Sequence, residues 1–156
     1  MPTGFDGALS IAFHAFSAIY LWFAVWLILR ELFRSPVIGS ENVFGAICGY
    51  LIARSGWGSV NALRYLLAPG AFGIDPHVAA LLTDWRGRTA LFSYYGFTQL
   101  LTIGYSDVTP LRAPATTLSL FAALFGVFYT AVVVSQLVGM TNPRSEARAP
   151  GRLDDG

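Results

Sequence analysis

The chain contains no lysine, a single cysteine and two histidines, and only 12 % of its residues are charged. Soluble domains usually carry about 25 % charged residues, so this chain has too little charge to cover a water-facing surface. Every basic residue is arginine, a compositional bias from which no chemistry is read. A net charge of +1 leaves no basic face for nucleic acid. The lone Cys48 excludes an intrachain disulfide, and no Cys/His cluster has metal-ligand spacing. Cys48 lies in an apolar run and reads as a small core residue. The opening residues, MPTGFDG, hold no Lys or Arg, and no small-x-small cleavage site follows the first apolar stretch, which argues against a signal peptide.

What the chain has instead is apolar surface. Hydrophobic residues make up 54 % and the mean hydropathy is +0.55. That surface requires a bilayer as solvent. The first apolar segment, Ala8 to Leu29, has the length of a spanning helix, about 20 residues. It closes on Arg30, Glu31 and Arg34, then Ser35-Pro36, and carries Trp22 and Trp26, residues that favour the membrane interface. Its one ionisable interior residue is His14, either hydrogen-bonded to a neighbouring helix or a proton sensor. A second segment runs from Ser40 to Leu67. Gly45, Gly49, Gly56 and Gly58 predict close helix packing there. Arg54 falls near mid-membrane, where a charge must face protein, water or a counter-charge rather than lipid. A continuous helix is the preferred reading; a break near Ser55-Gly56 is the alternative.

Residues Ala68 to Arg88 read as a loop, broken by Pro69-Gly70 and Asp75-Pro76. Asp75 and His77 could imitate a metal pair, but two ligands at a turn are ordinarily solvated. The next apolar stretch, Ala90 to Leu101, is too short to span and predicts a re-entrant helix. Thr102-Ile103-Gly104-Tyr105-Ser106-Asp107 follows, and then a long apolar helix over Ala115 to Met140, with Pro114 suited to its first turn. The domains are thus an N-terminal helix (1–34), a unit over 40–140 and a polar, disordered tail (141–156). His14 and His77 lie in different segments, and no nucleophile has a base at a sensible spacing, so nothing points to an enzyme.

The order spanning helix, short helix, Gly-containing loop, spanning helix needs a reason. Non-helical backbone at membrane depth survives only when buried in protein or lining water. Here the chain resembles the pore of bacterial two-helix potassium channels, in the ion channel family. That family's filter reads T-V/I/L-G-Y-G-D, and TIGYSD departs from it only at Ser106. Tyr94-Tyr95-Gly96-Phe97-Thr98-Gln99-Leu100-Leu101 resembles the family's pore helix, and Gly126 and Gln136-Leu137-Val138-Gly139 match its inner helix. The resemblance covers roughly Ser40 to Met140. It implies an all-α membrane protein with three transmembrane helices, a re-entrant pore helix and a selectivity-filter loop.

The resemblance also implies a function: one subunit of a homotetrameric, passive cation channel in the bacterial plasma membrane. No cofactor is implied beyond permeating potassium ions. Carbonyls of Thr102, Ile103, Gly104 and Tyr105, with the Thr102 hydroxyl, would replace the water lost by the ion, and Ser106 would complete the filter. Gly104 would supply a backbone conformation closed to residues with a Cβ. Asp107 would sit at the outer mouth. Gly126 is a candidate hinge or a close-packing residue, and Val133 and Leu137 are candidate gate residues in an apolar constriction. The loop would face outward, with Arg30, Arg34, Arg144, Arg148 and Arg152 in the cytoplasm, in keeping with the positive-inside tendency. The chain also departs from the family at Gln99 and Leu101, where threonine is usual, and at Ala122 and Val127 in the inner helix. The alternative is therefore a non-conducting or weakly selective subunit that keeps the channel fold.

Ser106 yields a direct prediction. A Cβ at a left-handed position costs roughly 1–2 kcal/mol, so serine perturbs the carbonyl that glycine would hold freely. Ser106→Gly should raise the potassium-to-sodium permeability ratio measured in the same bilayer. Equal, high ratios in both proteins would show that serine is tolerated.

Overall fold

The computed structural model describes residues 4–34, 40–68, 70–104 and 107–140. Four helices dominate: α1 (Gly4–Arg34), α2 (Ser40–Leu67), α3 (Trp85–Leu100) and α4 (Ala113–Met140). Short strands β1 (Phe72–Ile74) and β2 (Val108–Pro110), and a 3-10 helix at Ala79–Thr83, lie between them. The expected tail, 141–156, lies outside the described residues.

Among the described residues, two helices are long and apolar enough to cross a membrane: Gly7–Arg34, with mean hydropathy 1.9, and Ala113–Ser135, with 2.1. At 28 residues α2 is also long enough, about 42 Å, and it is continuous through Ser55-Gly56. Its second half is polar because that half faces protein: Ser59 and Asn61 are buried. In an apolar solvent, polar side chains turn toward helix partners.

The pore-helix segment differs from the sequence reading at its start. α3 begins at Trp85, not Ala90. Asp84, with extended backbone (φ −109°, ψ 147°), takes the position before the first turn, and the Arg88 amide donates to the Asp84 carbonyl at 3.1 Å. An apolar run is a poor guide to this boundary, because the first turn contains Arg86 and Arg88. The stretch from Ala68 to Arg88 is likewise more than a loop. β1 and β2 form an antiparallel pair with Phe72 opposite Pro110, Gly73 opposite Thr109 and Ile74 opposite Val108.

That small ladder fixes the topology. β1 follows α2 and β2 precedes α4, so the end of α2 and the start of α4 share one side. Everything between them enters and leaves on that side. α3, 16 residues or about 24 Å long, is shorter than the ~30 Å hydrocarbon core. It is a re-entrant helix in an all-α membrane protein.

Close backbone approach joins the helices. α2 and α3 cross glycine to glycine: a Cβ on Gly96 would lie 2.8 Å from the Gly58 nitrogen and 2.9 Å from the Arg54 carbonyl oxygen. A Cβ on Gly58 would lie 2.7 Å from the Ser93 Cα. Gly49 is filled by the Tyr129 hydroxyl and Gly56 by the Trp22 indole, both as close packing requires. Gly45 and Cys48 differ from the expectation: nothing lies within 4 Å of the would-be Cβ of Gly45, and Cys48, read as a core residue, is exposed on the single chain. On α1, His14, Ala18, Val25 and Leu32 form the buried stripe, while Phe16, Ile19, Phe23 and Trp26 are exposed on its other faces. Trp22 packs edge-on against both Trp57 and Phe125, at 5.2 Å in each case, and so joins α1 to α2 and α4.

These contacts separate two helix glycines, Gly96 of α3 and Gly45 of α2. Gly96→Ala should destabilise the purified protein by about 1–3 kcal/mol, the usual cost of overpacking. Gly45→Ala should leave stability unchanged or raise it by up to ~1 kcal/mol through helix propensity. Thermal unfolding in one detergent checks both; equal losses would refute the packing assignment.

Candidate functional site: a tethered loop between α3 and β2

The segment after α3 is held at both ends. On the helix side, three amides fold back onto the last turn: Leu101 to the Phe97 carbonyl (3.1 Å), Thr102 to Gln99 (3.0 Å) and Ile103 to Thr98 (3.1 Å). These bonds satisfy carbonyls that a helix end otherwise leaves without partners. On the strand side, the Asp107 carbonyl accepts from the Asp75 amide at 2.9 Å, extending the ladder by one step toward the loop. The Leu111 amide donates to the Ala71 carbonyl at 2.9 Å. A short strand pair thus clamps the exit of the loop to the end of α2.

Between these anchors the backbone is irregular. Gly104 has φ +71°, the left-handed region that glycine enters freely. Thr102 has φ +53°, at a cost of roughly 1–2 kcal/mol for a residue with a Cβ. Its hydroxyl donates to the Leu101 carbonyl at 2.7 Å. Thr102, Ile103 and Gly104 are all exposed, Ile103 by 68 %. Asp107 is half-buried. Tyr105 and Ser106 lie outside the described residues, as does the side chain of Leu137.

Beneath the loop, α3 is fastened to α2 and α4 through a buried polar network. Asn61 Nδ2 donates to Gln99 Oε1 at 3.0 Å, and Gln99 Nε2 donates to Ser119 Oγ at 2.7 Å. Ser119 donates its one proton to the Ala115 carbonyl at 2.9 Å. Its remaining capacity is therefore acceptance, so the Tyr95 hydroxyl, 3.0 Å away, is the donor to it. Gln99, a departure from the family pattern, is thus the bridge between α2 and α4. Asn61, Ser119 and Tyr95 were missed as a group in the sequence. The available signal was an amide or hydroxyl side chain in each of three membrane-embedded helices, one among several there. The Tyr95 ring also packs edge-on against Phe72 of β1, at 5.8 Å, so the network and the ladder meet.

Gly126 is buried against the end of α3. A Cβ there would overlap the Leu100 carbonyl oxygen and come within 2.9 Å of the Leu100 Cα. Of its two sequence readings, close packing has this contact behind it. Val133 lies seven positions further along α4 and is half-buried. Arg54 faces protein: its guanidinium carbon lies 4.9 Å from the Phe97 ring centroid, a cation–π contact with the pore-helix segment. Asp75 and His77 are brought together by a turn, the Asp75 carboxylate accepting from the His77 amide at 2.8 Å.

A short re-entrant helix, a tethered irregular loop and a following apolar helix define the pore module of a channel. Residues 78–142 match the family model described as Ion channel. The match takes in the 3-10 helix, α3, the loop, β2 and α4, so this stretch is similar to an ion channel pore. That similarity supports a membrane channel rather than an enzyme. The match begins beyond α1 and α2, later than the start of the resemblance at Ser40. No curated protein and no solved structure gives a significant match.

The network makes a quantitative prediction. Gln99→Ala strands the buried Asn61 amide and should cost about 1–3 kcal/mol in unfolding free energy. The Asn61→Leu, Gln99→Leu pair should cost less than the sum of its single changes, because both partners then become apolar. Strict additivity in a double-mutant cycle would show that the two amides do not interact.

Proposed function

We propose that the chain is the pore-forming subunit of a homotetrameric, potassium-conducting channel, with TIGYSD as its selectivity filter and 40–140 as its pore domain. The observation that carries this reading is the loop after α3. It has irregular backbone, it lies at the inner end of a re-entrant helix, it is anchored at both ends, and its residues Thr102 to Gly104 are exposed on the single chain. Backbone of that kind cannot face lipid. Water and further copies of the same loop are the remaining neighbours. One chain supplies one side of such a pore, and cyclic symmetry closes it. Four copies bring four sets of carbonyls from Thr102, Ile103, Gly104 and Tyr105 around one axis, the arrangement that replaces a potassium ion's hydration shell. Asp107 then contributes to a ring of carboxylates at the entrance, which concentrates cations.

The exposed side of α4 supports the oligomer. Leu120, Leu124 and Val127 form one apolar stripe at helical spacing, with Phe121 and Phe128 beside it. This helix follows the filter directly, so its free face is available to neighbouring copies and to the pore lining. Val133, with Leu137, belongs to the narrow end of that lining, and Gly126 holds α4 against the base of the filter.

Two measurements test the proposal. Mass measurement of the purified protein in detergent should give four chains, and a monomer or dimer as the only species would sink the pore reading. Proteoliposomes loaded with potassium should release it down its gradient faster than protein-free vesicles, with sodium slower. A tetramer without flux would leave the fold and remove the conduction claim.

A further inference from the structure

A cleft of about 610 Å³ opens between the first half of α1 and the start of α3, away from the filter. Ser10 and His14 line it from α1, and Thr83, Asp84 and Arg88 from the opposite side. Leu9, Phe13 and Trp85 form apolar walls, with the Phe13 and Trp85 rings edge-on at 6.2 Å. Two side chains in it are buried and incompletely bonded. His14 is 1 % exposed and Arg88 6 % exposed, and His14 Nδ1 and Arg88 Nε have no hydrogen-bond partner among the described residues.

Arg88 is the anomaly. A buried guanidinium is ordinarily paired, and no ion pair to Arg88 occurs among the described residues. It stands in the first turn of a helix whose N-terminus is itself the positive end of the peptide dipole. Arg86 adds a second cation in the same turn, and that turn contains no acidic residue. Asp84 is the one carboxylate lining the cleft. It is exposed and makes no capping bond, so solvent screens it more than it screens Arg88. The cleft is therefore cationic at its base and apolar at its mouth, where Leu9 is 61 % and Trp85 53 % exposed.

We propose that this cleft binds the phosphate headgroup of an anionic phospholipid, with Arg88 and the α3 amides holding the phosphate, His14 adding a donor, and Phe13 and Trp85 contacting the glycerol and upper acyl chain. The amphipathic lining selects a lipid over a soluble anion, because free phosphate has no use for the aromatic walls. The site depends on α1, which lies outside the ion channel match. The proposal requires the membrane placement of the chain and not that the pore conducts.

Native mass spectrometry of the full-length protein tests it, with phosphatidylglycerol, phosphatidylcholine and inorganic phosphate as probes. The wild type should retain phosphatidylglycerol in preference to phosphatidylcholine. Arg88→Gln should weaken that retention by about tenfold, the loss for one charge-assisted hydrogen bond. Arg112→Gln, at an exposed arginine, should not, and Arg88→Lys should restore part of it. Trp85→Ala, at an exposed position, covers the case in which Arg88→Gln fails to fold: it should lower lipid retention without lowering the lipid-free melting temperature. Equal retention of the two lipids would overturn the proposal. So would inorganic phosphate binding as tightly as the lipid, which would make the ligand a soluble anion. Loss of the oligomer in Arg88→Gln with lipid preference intact would assign the arginine to a neighbouring chain instead.

Discussion

Irregular backbone in an apolar medium has to be held by something other than its own hydrogen bonds, and most of this structure answers to that need. Among its described residues, the loop after α3 contains two left-handed ones, Thr102 and Gly104, one of which carries a Cβ. Such conformations persist only where the surroundings over-determine them. Here the surroundings are the closed last turn of α3 on one side and the β1–β2 ladder on the other. The ladder is only three residue pairs long, yet it ties the exit of the loop to the end of α2 and so fixes where α4 begins.

The same requirement explains the polar residues in otherwise apolar helices. Asn61, Gln99, Tyr95 and Ser119 would each be costly alone in hydrocarbon. Joined, they cross-link α2, α3 and α4 at one level with a directional set of bonds, which apolar packing between helices in lipid does not provide. The glycine crossing of Gly58 and Gly96 brings α2 and α3 close enough for the Asn61–Gln99 bond. The two features are therefore parts of one joint: bulk at either glycine would separate the amides.

Much of this was legible in the sequence, for reasons that are local. Long apolar runs specify α1 and α4, and the brevity of the run before Thr102 specifies a re-entrant helix. The TIGYSD motif locates the loop because its glycine answers a backbone need. What was not legible is relational. Phe72-Gly73-Ile74 is too short to announce a strand, and it becomes one only because Val108-Thr109-Pro110 lies beside it. Gln99 looked like a departure from the family pattern, and its partners sit 38 positions back and 20 forward. The α3 start was misplaced for a different reason: hydropathy locates what is buried in lipid, while a helix begins where its amides find a turn, here at Asp84.

The role of α1 follows from one residue. Trp22 rests edge-on against Trp57 of α2 and Phe125 of α4, and Phe125 adjoins Gly126, whose backbone lies against Leu100 at the end of α3. A close-packed interior has no slack along such a chain of contacts. Any tilt of α4 that moved Gly126 away from Leu100 would also have to part or reseat the Trp22 contact. Tyr129, three positions past Gly126, carries the constraint further, because its hydroxyl donates to the Ala46 carbonyl of α2 at 2.6 Å. The geometry therefore makes α4 stiff from its start beside the loop through Tyr129.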